Sequence, residues 1–336
     1  MPNRSLWATL SRTVRALGMR EISDRDILKI CYLYYREEQT QEEISAHLGY
    51  SRFKISRILK EARKRGLVSV TIHDPMIQVT ETEMELVRRF GLAKAIVVQV
   101  NHFGEQSGLD QIGQAAAKYL REILTRYHVF GVTWGHTVYH VVKELEPIEA
   151  RNLSLVQIGG GLGTIEGSDN NVLTMTLGQK LRAKAYLIPA PVIVRNRALR
   201  NTLFKEKKIQ ETLGLARKAD LVLFGVGLIG AEGLLWKSGF LGKNDTAELK
   251  DAGAVGAICG RFFDTNGREC WHELDDRTIA LTLDELRKIK HKIVVGVGQE
   301  KVEGLFGALR GKLADVLVTD EDTATRLLTK SPLRGE

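Results

Sequence analysis

Basic side chains crowd one short stretch of this chain, and their chemistry suits the binding of a polyanion. Residues 52–65 carry a single acid, Glu61, among seven cations. These cations are Arg52, Lys54, Arg57, Lys60, Arg63, Lys64 and Arg65. Lys and Arg neutralise phosphates and release counterions, which gives sequence-independent affinity for DNA. Arg also pairs bidentately with guanine, so the stretch has the groups to read a base sequence as well.

A helix-turn-helix would position these cations. Gly49 suits the left-handed residue that ends a helix, and Ser51 is a good N-cap for the next one. The second helix then has one apolar stripe at i, i+3, i+4 and i+7, made of Ile55, Ile58, Leu59 and Ala62. The first helix offers Ile44, Ala46 and Leu48 as its apolar side. A lone basic helix would favour a merely solvated surface, whereas the turn, the cap and two matched stripes favour DNA binding.

The N-terminal turns of the second helix are the ones that reach base edges in such motifs. The first helix opens at Thr40 and Gln41, where N–H groups favour a phosphate. We therefore expect DNA contacts from Thr40, Gln41, Ser51, Arg52, Phe53, Lys54, Ser56, Arg57 and Lys60. Of these, Arg52, Lys54 and Arg57 are expected on the side that faces the groove.

Two flanking elements complete the predicted DNA-binding domain, residues 21–75. Residues 26–35 have the pattern of a supporting helix. Residues 67–73 alternate apolar and polar side chains, which is typical of a strand. A strand directly after a recognition helix indicates a wing. Pro75 can continue neither a helix nor the hydrogen bonds of a strand, so the domain ends near it. The sequence thus predicts a winged helix-turn-helix.

The run TQEEISAHLGYSRFKISRILKEARKRGLVSVTI, residues 40–72, resembles the DNA-binding domain of the SorC family of bacterial transcriptional regulators. The resemblance implies a sugar-responsive regulator, often of carbohydrate catabolic operons, that binds double-stranded operator DNA as a homodimer or homotetramer. It leaves repression and activation as open alternatives.

Composition agrees with a two-part protein that binds nucleic acid. The chain has 336 residues, 43% of them apolar, and a net charge of +8. Its cysteines, Cys31, Cys259 and Cys270, lack metal or redox spacing, and no run is apolar enough to span a membrane. We therefore expect no metal, no cofactor, no membrane partner and a cytoplasmic setting. Residues 1–20 are expected to be a basic extension, unless Met19 is the true first residue.

A second domain is predicted over residues 93–332, after a linker helix over 76–92. Short apolar segments alternate with helical ones, which implies an α/β fold with a parallel sheet covered on both faces. We expect strands at 95–100, 128–133, 153–158, 185–188, 220–226, 293–297 and 314–318. In such sheets, ligands bind beyond the carboxyl ends of the strands.

Glycine-rich loops follow four of these predicted strands. They lie at 134–137, 159–164, 225–227 and 296–298. Glycine lets a backbone approach an anion, and a helix start adds N–H donors. Each loop alone also fits a steric need at a strand end, but four at one edge favour a phosphorylated or polyhydroxylated ligand. None matches the P-loop or the dinucleotide fingerprint.

The second half resembles the effector-binding domain of the SorC family, which is similar in fold to sugar-phosphate isomerases and glucosamine-6-phosphate deaminases. The matching segments are VTWGHT, QIGGGLGT, LIPAPVIV, ARKADLVLFGVG, GRFFDTNGRE and VTDEDTATRLL. The resemblance implies a sugar-phosphate or polyol-phosphate effector. The predicted effector contacts are Gly135, His136, Thr137, Gly159, Gly160, Gly161, Asn170, Gly225, Gly227, Asp264 and Lys301.

Roles within this set follow from position. The resemblance assigns a phosphate loop to residues 135–137, hydroxyl contacts to Asp264 and Asn170, and contact with an anionic group to Lys301. Two alternatives stay open. Asp264 begins the turn-forming run Asp-Thr-Asn-Gly, and Lys301 also fits a solvated lysine at a helix start.

An enzyme of the same sugar-phosphate fold is the competing hypothesis. Deaminases of that fold carry Asp-Gly-His after the glycine-rich strand end, whereas this chain has Ile229 and Ala231 at the two acid–base positions. An apolar side chain cannot transfer a proton, so we expect no catalytic residues. A further alternative is a DNA-binding protein whose second half serves assembly only, and the four glycine loops argue against it.

The protein should therefore turn over no sugar phosphate. Incubation of the purified chain with hexose, pentose and glucosamine phosphates should give neither isomerised product nor ammonia, because apolar side chains occupy both acid–base positions. Turnover that disappears when a residue in the loop 131–137 is mutated would establish the enzyme instead.

Overall fold

The computed structural model describes residues 23–68, 77–100, 107–150, 152–163, 169–270 and 272–330. The chain divides into two compact units, residues 1–74 and 75–336. The proposed basic extension, the Met19 start and the strand part of the predicted wing, residues 69–73, lie outside the described residues.

The described residues of the first unit form a bundle of three helices. They are α1 (Asp24–Tyr35), α2 (Gln41–Leu48) and α3 (Arg52–Lys64). Its core combines the predicted stripe of α3 with one face of each other helix, namely Ile27, Ile30, Cys31, Ile44, Ile55, Ile58, Leu59 and Ala62. Ala46 was expected on the apolar side of α2, but it is exposed. It lies two residues from Ile44, and at 3.6 residues per turn that places it on the other side of the helix.

The turn between α2 and α3 has the predicted chemistry. Gly49 ends α2 with φ +66°, in the left-handed region that other residues enter at a cost. The side chain of Ser51 accepts from the N–H of Lys54 and caps α3. These two residues fix where α3 begins, and so determine which side chains its first turn presents.

The part of the second unit that the structure describes contains nine strands. They are β1 (Lys94–Val98), β2 (Val129–Val132), β3 (Ser154–Gln157), β4 (Lys184–Tyr186), β5 (Leu221–Phe224), β6 (Gly256–Ile258), β7 (Arg261–Phe263), β8 (His291–Val295) and β9 (Val316–Asp320). Seven form one all-parallel sheet in the order β1-β9-β8-β5-β2-β3-β4. All four residues of β5 are buried, as expected for a strand covered on both faces.

Helices cover both faces of this sheet and connect its strands. They are α4 (Ile77–Phe90), α5 (Gly108–Ile123), α6 (His136–Glu144), α7 (Asn170–Leu181), α8 (Arg197–Leu203), α9 (Lys207–Ala216), α10 (Leu234–Lys237), α11 (Lys243–Asp251), α12 (His272–Asp275), α13 (Leu283–Arg287), α14 (Val302–Arg310) and α15 (Glu321–Thr329). No helix of the described part of the chain is long and apolar enough to cross a membrane.

Helix α4 occupies the segment expected to link the domains, and it packs within the second unit. It contacts β1 and α15. Leu86 is fully buried, and the ring of Phe90 meets the ring of Phe306 edge-on, with centroids 5.8 Å apart. The helix is thus part of this unit's core.

All seven predicted strands are present, each within a few residues of its expected bounds. The sequence reading missed the antiparallel hairpin of β6 and β7, which lies outside the main sheet. Each of its strands has three residues, which is too short for a periodic signal.

The strand order reverses direction at β2. From β2 the chain moves outward through β3 to β4, and then returns to place β5 on the other side of β2. The loops that follow β2 and β5 therefore diverge, which leaves a crevice at their carboxyl ends. Such reversal points are where open α/β sheets bind ligands.

Two helical glycines of the second unit should respond oppositely to replacement by alanine. A Cβ on Gly113 in α5 would lie 2.6 Å from backbone atoms of His140 in α6, whereas a Cβ on Gly214 in α9 would meet nothing within 4 Å. Gly113→Ala should lower the free energy of unfolding by about 1–3 kcal/mol through overpacking. Gly214→Ala should raise it by about 0.5–1 kcal/mol.

Urea unfolding followed by circular dichroism and tryptophan fluorescence would measure both changes. Gly214→Ala serves as the control for the helix propensity of alanine. Equal changes in the two variants would contradict the close approach of α5 and α6.

Candidate functional sites: a nucleic-acid interface and a ligand cavity

The outward face of α3 is a continuous stripe of DNA-contacting residue types. Opposite the buried stripe lie Phe53, Arg57, Lys60 and Lys64, at i, i+4, i+7 and i+11, and all four are exposed. This face combines three cations with one aromatic ring. Its composition suits a phosphate backbone and base edges.

Arg52 and Lys54 flank this stripe instead of lying at its centre. The guanidinium of Arg52 pairs with the Glu42 carboxylate of α2 at 2.8 Å. The ammonium of Lys54 lies 4.8 Å from the ring centroid of Tyr50. We expected both residues on the groove-facing side with Arg57. The structure places them at the two borders of the stripe. Arg52 and Lys54 are the sequence neighbours of Phe53, and each residue of a helix is rotated by about 100° from the next.

The start of α2 is less open to a phosphate than the sequence indicated. Thr40 and Glu43 form a capping box, in which the Glu43 carboxylate accepts from the Thr40 N–H at 2.7 Å. This hydrogen bond, together with that from the Thr40 hydroxyl, lowers the pKa of Glu43. A carboxylate thus already occupies the start of α2. The capping box uses the N–H groups of Thr40 and Glu43, so a phosphate there would have to bind those of Gln41 and Glu42.

A cavity of about 450 Å³ lies at the crevice between the carboxyl ends of β2 and β5. Predicted effector residues that line it are Gly135, His136, Thr137, Gly225, Gly227 and Lys301. The loops after β2, β5 and β8 all contribute, so the structure brings together residues from three of the four glycine loops. No cluster of His, Cys, Asp and Glu in the described part of the chain could hold a metal ion.

The N-terminus of α6 opens into this cavity. Its N-cap is Gly135, at φ +140° and ψ 156°, a conformation that favours glycine. A Cβ there would meet nothing within 4 Å, so conformation, not crowding, accounts for the residue. Glycine has no side chain that could cap this helix start. The positive end of the α6 dipole, which lies at the cavity, therefore favours an anion.

Thr137 lines the cavity, but its hydroxyl has a partner within the protein. Oγ1 donates to the Val295 carbonyl of β8 at 3.0 Å, and the side chain is buried. It also approaches the backbone of β5, since a Cβ on Gly225 would lie 2.6 Å from this oxygen. We expected the hydroxyl to donate to a phosphate. The structure commits it to tying α6 to the sheet, which leaves the Thr137 backbone N–H for a ligand.

Lys301 is a largely buried cation in the cavity wall. Its Nζ donates to the Val226 carbonyl at 2.8 Å. Burial lowers the pKa of Lys301, and the nearby Glu300 carboxylate acts in the opposite direction. A solvated lysine is therefore the wrong description. An anion bound beside Lys301 would favour the charged form of its side chain.

The glycine run 159–161 lies behind this cavity and has structural contacts of its own. The N–H groups of Gly160 and Gly161 donate to the carbonyls of Ile279 and Ala190, at 2.8 and 3.0 Å. A Cβ on Gly159 would lie 2.2 Å from the sulfur of Cys259. These glycines were expected to contact effector. Close packing explains why Gly159 and Gly160 are glycines. Gly161 lines a second, mainly apolar cavity that also includes Ile188 and Ile193.

Asn170 and Asp264 do not line the main cavity either. Asn170 is fully buried and its amide donates to the Gly159 carbonyl at 2.8 Å, while its Oδ1 has no partner among the described residues. The Asp264 carboxylate accepts from the N–H groups of Asn266 and Arg268 at 2.8 and 2.9 Å. The turn-forming alternative therefore describes Asp264, whose hydrogen bonds close the turn after β7.

Trp134, which the sequence placed beside the predicted phosphate loop, lines the cavity together with three residues that were not predicted, Glu232, Cys259 and Glu300. The Trp134 indole donates to the Gly160 carbonyl at 3.2 Å and joins two glycine loops. Glu232 and Glu300 bring carboxylates into the lining, and Glu232 pairs with Lys237 at 3.0 Å. Burial raises the pKa of the Cys259 thiol to about 12, so this lining residue stays neutral. The sequence carried no comparable signal for Glu232, Cys259 or Glu300, because none of them lies within a predicted glycine-rich loop.

Comparison with known proteins identifies both units. Residues 74–329 match the family model described as "Putative sugar-binding domain", and residues 23–65 match sigma-70, region 4. The sorbitol operon regulator of Klebsiella pneumoniae is 30% identical over 90% of this chain and 98% of its own. Its full-length crystal structure superposes with a TM-score of 0.73, covering 91% of this chain and 99% of that one.

This chain belongs to the SorC family of transcriptional regulators. The deoxyribonucleoside regulator of Bacillus subtilis is a further relative, 31% identical over 88% of this chain and 95% of its own. Both relatives are matched over nearly their whole length, so the family covers the helix-turn-helix and the α/β unit together. The predicted family and fold class are confirmed.

Two cations of α3 should differ in how they affect DNA binding. Arg57→Ala should weaken binding to a specific site by about 1–3 kcal/mol if the guanidinium pairs with a base, with little effect on unrelated sequence. Lys60→Ala should weaken all sequences alike and reduce the salt slope by roughly one unit. Fluorescence anisotropy at several salt concentrations measures both.

Lys208→Ala is the control, since Lys208 is an exposed lysine of the second unit that pairs with Glu211. It should leave affinity and salt slope unchanged. Identical behaviour of the three variants would show that α3 is not the DNA-binding surface.

Proposed function

We propose that this protein binds operator DNA through α3, and that a phosphorylated sugar or polyol in the cavity between β2 and β5 controls that binding. The observation that carries the proposal is that the start of α6 and the largely buried ammonium of Lys301 lie in the wall of one cavity. Relatives named as regulators of a sorbitol operon and of deoxyribonucleosides support the class of effector.

The anionic end of the effector is assigned to α6 and Lys301. The N-cap of α6 is Gly135, which has no side chain, and the positive end of the helix dipole lies at the cavity. Burial desolvates the Lys301 ammonium, so an anion beside it would restore electrostatic stabilisation of the charged form. Two independent positive groups thus converge, as phosphate sites require.

The hydroxyl groups of the effector are assigned to carboxylates of the lining. Glu232 and Glu300 are acceptors with exposed side chains at the cavity, and each accepts hydrogen bonds from hydroxyl donors when ionised. They take the role that sequence reasoning gave to Asp264. Asn170 keeps a fully buried acceptor without a described partner, and its contact with effector stays a prediction.

The cavity supports binding better than catalysis. Ile229 is a partly buried apolar residue packed against the core, and Ala231 is exposed, so neither position supplies an acid or base. The thiol of Cys259 is held neutral by its burial and is a poor nucleophile. We propose a protein without enzymatic activity that acts in the cytoplasm as a homodimer or homotetramer.

Replacement of Lys301 should separate ligand binding from stability. Lys301→Met removes the ammonium from the cavity and should weaken a phosphorylated effector about 10- to 100-fold, the range for a hydrogen bond to a charged group. The free energy of unfolding should change by only about 1 kcal/mol, because the lost bond to Val226 is offset by removing a desolvated charge.

The measurement begins with a thermal-shift screen of hexose, pentose and alditol phosphates, since a ligand selective for the native state raises apparent stability. Sorbitol 6-phosphate and 2-deoxyribose 5-phosphate belong in the panel because of the relatives' names. Trp134 fluorescence then gives the affinity, with Trp134→Phe as the background control. Fluorescence anisotropy of labelled operator DNA then shows whether the effector weakens or strengthens DNA binding.

Lys180→Met is the matched control for the lysine. Its Nζ also donates to two backbone carbonyls, of Val142 and Lys143, at 2.8 and 2.7 Å, but it does not line the cavity. It should lower stability and leave effector affinity unchanged. An equal loss of effector affinity in both variants, or a hit that binds Lys301→Met as tightly as wild type, would reject the cavity as the effector site.

A further inference from the structure

One apolar side chain on the DNA-binding unit is almost fully solvated. Phe53 is 90% exposed, the largest exposed fraction among the large apolar side chains of the described residues. A phenylalanine ring is normally a core group with a large area to bury. The core of the first unit, within the described residues, does not include this ring, since the residues that α3 contributes to it come from the opposite face of the helix.

The position of Phe53 places it at the front of the recognition helix. It is the second residue of α3, directly after the cap formed by Ser51. It shares the outward stripe with Arg57 one turn later and Lys60 two turns later. The N-terminal turns of such helices are those that reach base edges in the major groove.

The neighbouring cations leave the ring unobstructed. Arg52 is drawn towards α2 by its pair with Glu42, and Lys54 lies over the ring of Tyr50. Both charges thus lie to the sides of Phe53, where phosphates flank the groove. Between them the ring is the one apolar group presented by the first turn of α3.

We propose that Phe53 reads the 5-methyl group of a thymine in each half-site. Among base edges in the major groove, the thymine methyl is the apolar group that a phenylalanine can recognise. A wedge between stacked bases is the other use of an apolar side chain on DNA, but it belongs to minor-groove binders. The inference rests on the proposed DNA binding through α3, and it adds a specificity determinant to it.

The test compares thymine with deoxyuridine, which keeps the pairing edge and lacks only the methyl group. The full-length wild-type chain first selects binding sites from a pool of randomised duplex DNA. Each dT of the enriched site is then replaced singly by dU, and affinities are measured by anisotropy for wild type, Phe53→Ala, Phe53→Leu and Lys60→Ala. Circular dichroism melting should be unchanged in Phe53→Ala, because the ring buries almost nothing in the free protein.

Wild type should lose roughly three- to tenfold in affinity at one dT per half-site, the effect of removing one buried methyl group. Phe53→Ala should bind the dT and dU sites equally, and Phe53→Leu should retain part of the preference. Lys60→Ala should bind both sites more weakly but keep the wild-type ratio.

Two results would overturn the inference while leaving DNA binding intact. In one, Phe53→Ala keeps the wild-type ratio of dT to dU affinity. In the other, Phe53→Ala weakens binding although no dU substitution affects wild type, which would mean that the ring contacts something other than a methyl group. If wild type enriches no sequence at all, the proposed operator binding fails, and this inference with it.

Discussion

The reversal of strand order between β2 and β5 is the constraint on which the ligand site depends. Parallel strands bring their carboxyl ends to one edge, and the reversal separates the loops that follow neighbouring strands. Because the strands are buried on both faces, polar backbone groups become accessible mainly where strands end. The start of α6 and the loop that carries Lys301 meet at this point, although they are more than 150 residues apart in sequence.

The sequence predicted the structural features that depend on interactions within a few residues of the chain. Gly49 and Ser51 each fix a helix end through contacts within a few residues, and the apolar runs of the sheet are buried wherever their neighbours lie. Partners distant in sequence could not be read in this way. The hydroxyl of Thr137 donates to Val295 and the indole of Trp134 donates to Gly160, and both pairs form only once strand order is set.

The glycines show why residue type alone does not define a binding site. Gly135 has an unusual backbone conformation beside open space, whereas Gly159 and Gly160 would collide with neighbours if they carried a side chain. All three follow strands and have the same sequence signal. Conformation and contact distinguish a loop that can approach a ligand from one that lets two segments pack. Asp264 gives the same lesson, because its carboxylate closes a local turn.

Two features of the free protein are unfavourable unless a partner is present. Lys301 is desolvated, and Phe53 exposes an aromatic ring to water. Local rules of stability are broken at functional sites more often than elsewhere, since the group is complemented only in the complex. The two residues lie in different units, Lys301 at the cavity and Phe53 on α3. This separation fits a regulator that binds a small effector in one unit and DNA through the other.

A crystal structure with a bound sugar phosphate from the thermal-shift screen tests the central claim most directly. We expect phosphate oxygens within about 3 Å of the backbone at the start of α6 and of the Lys301 ammonium. We also expect sugar hydroxyls at Glu232 or Glu300. A phosphate bound at the Gly159–Gly161 loop, at Asp264 or outside the crevice between β2 and β5 would contradict it.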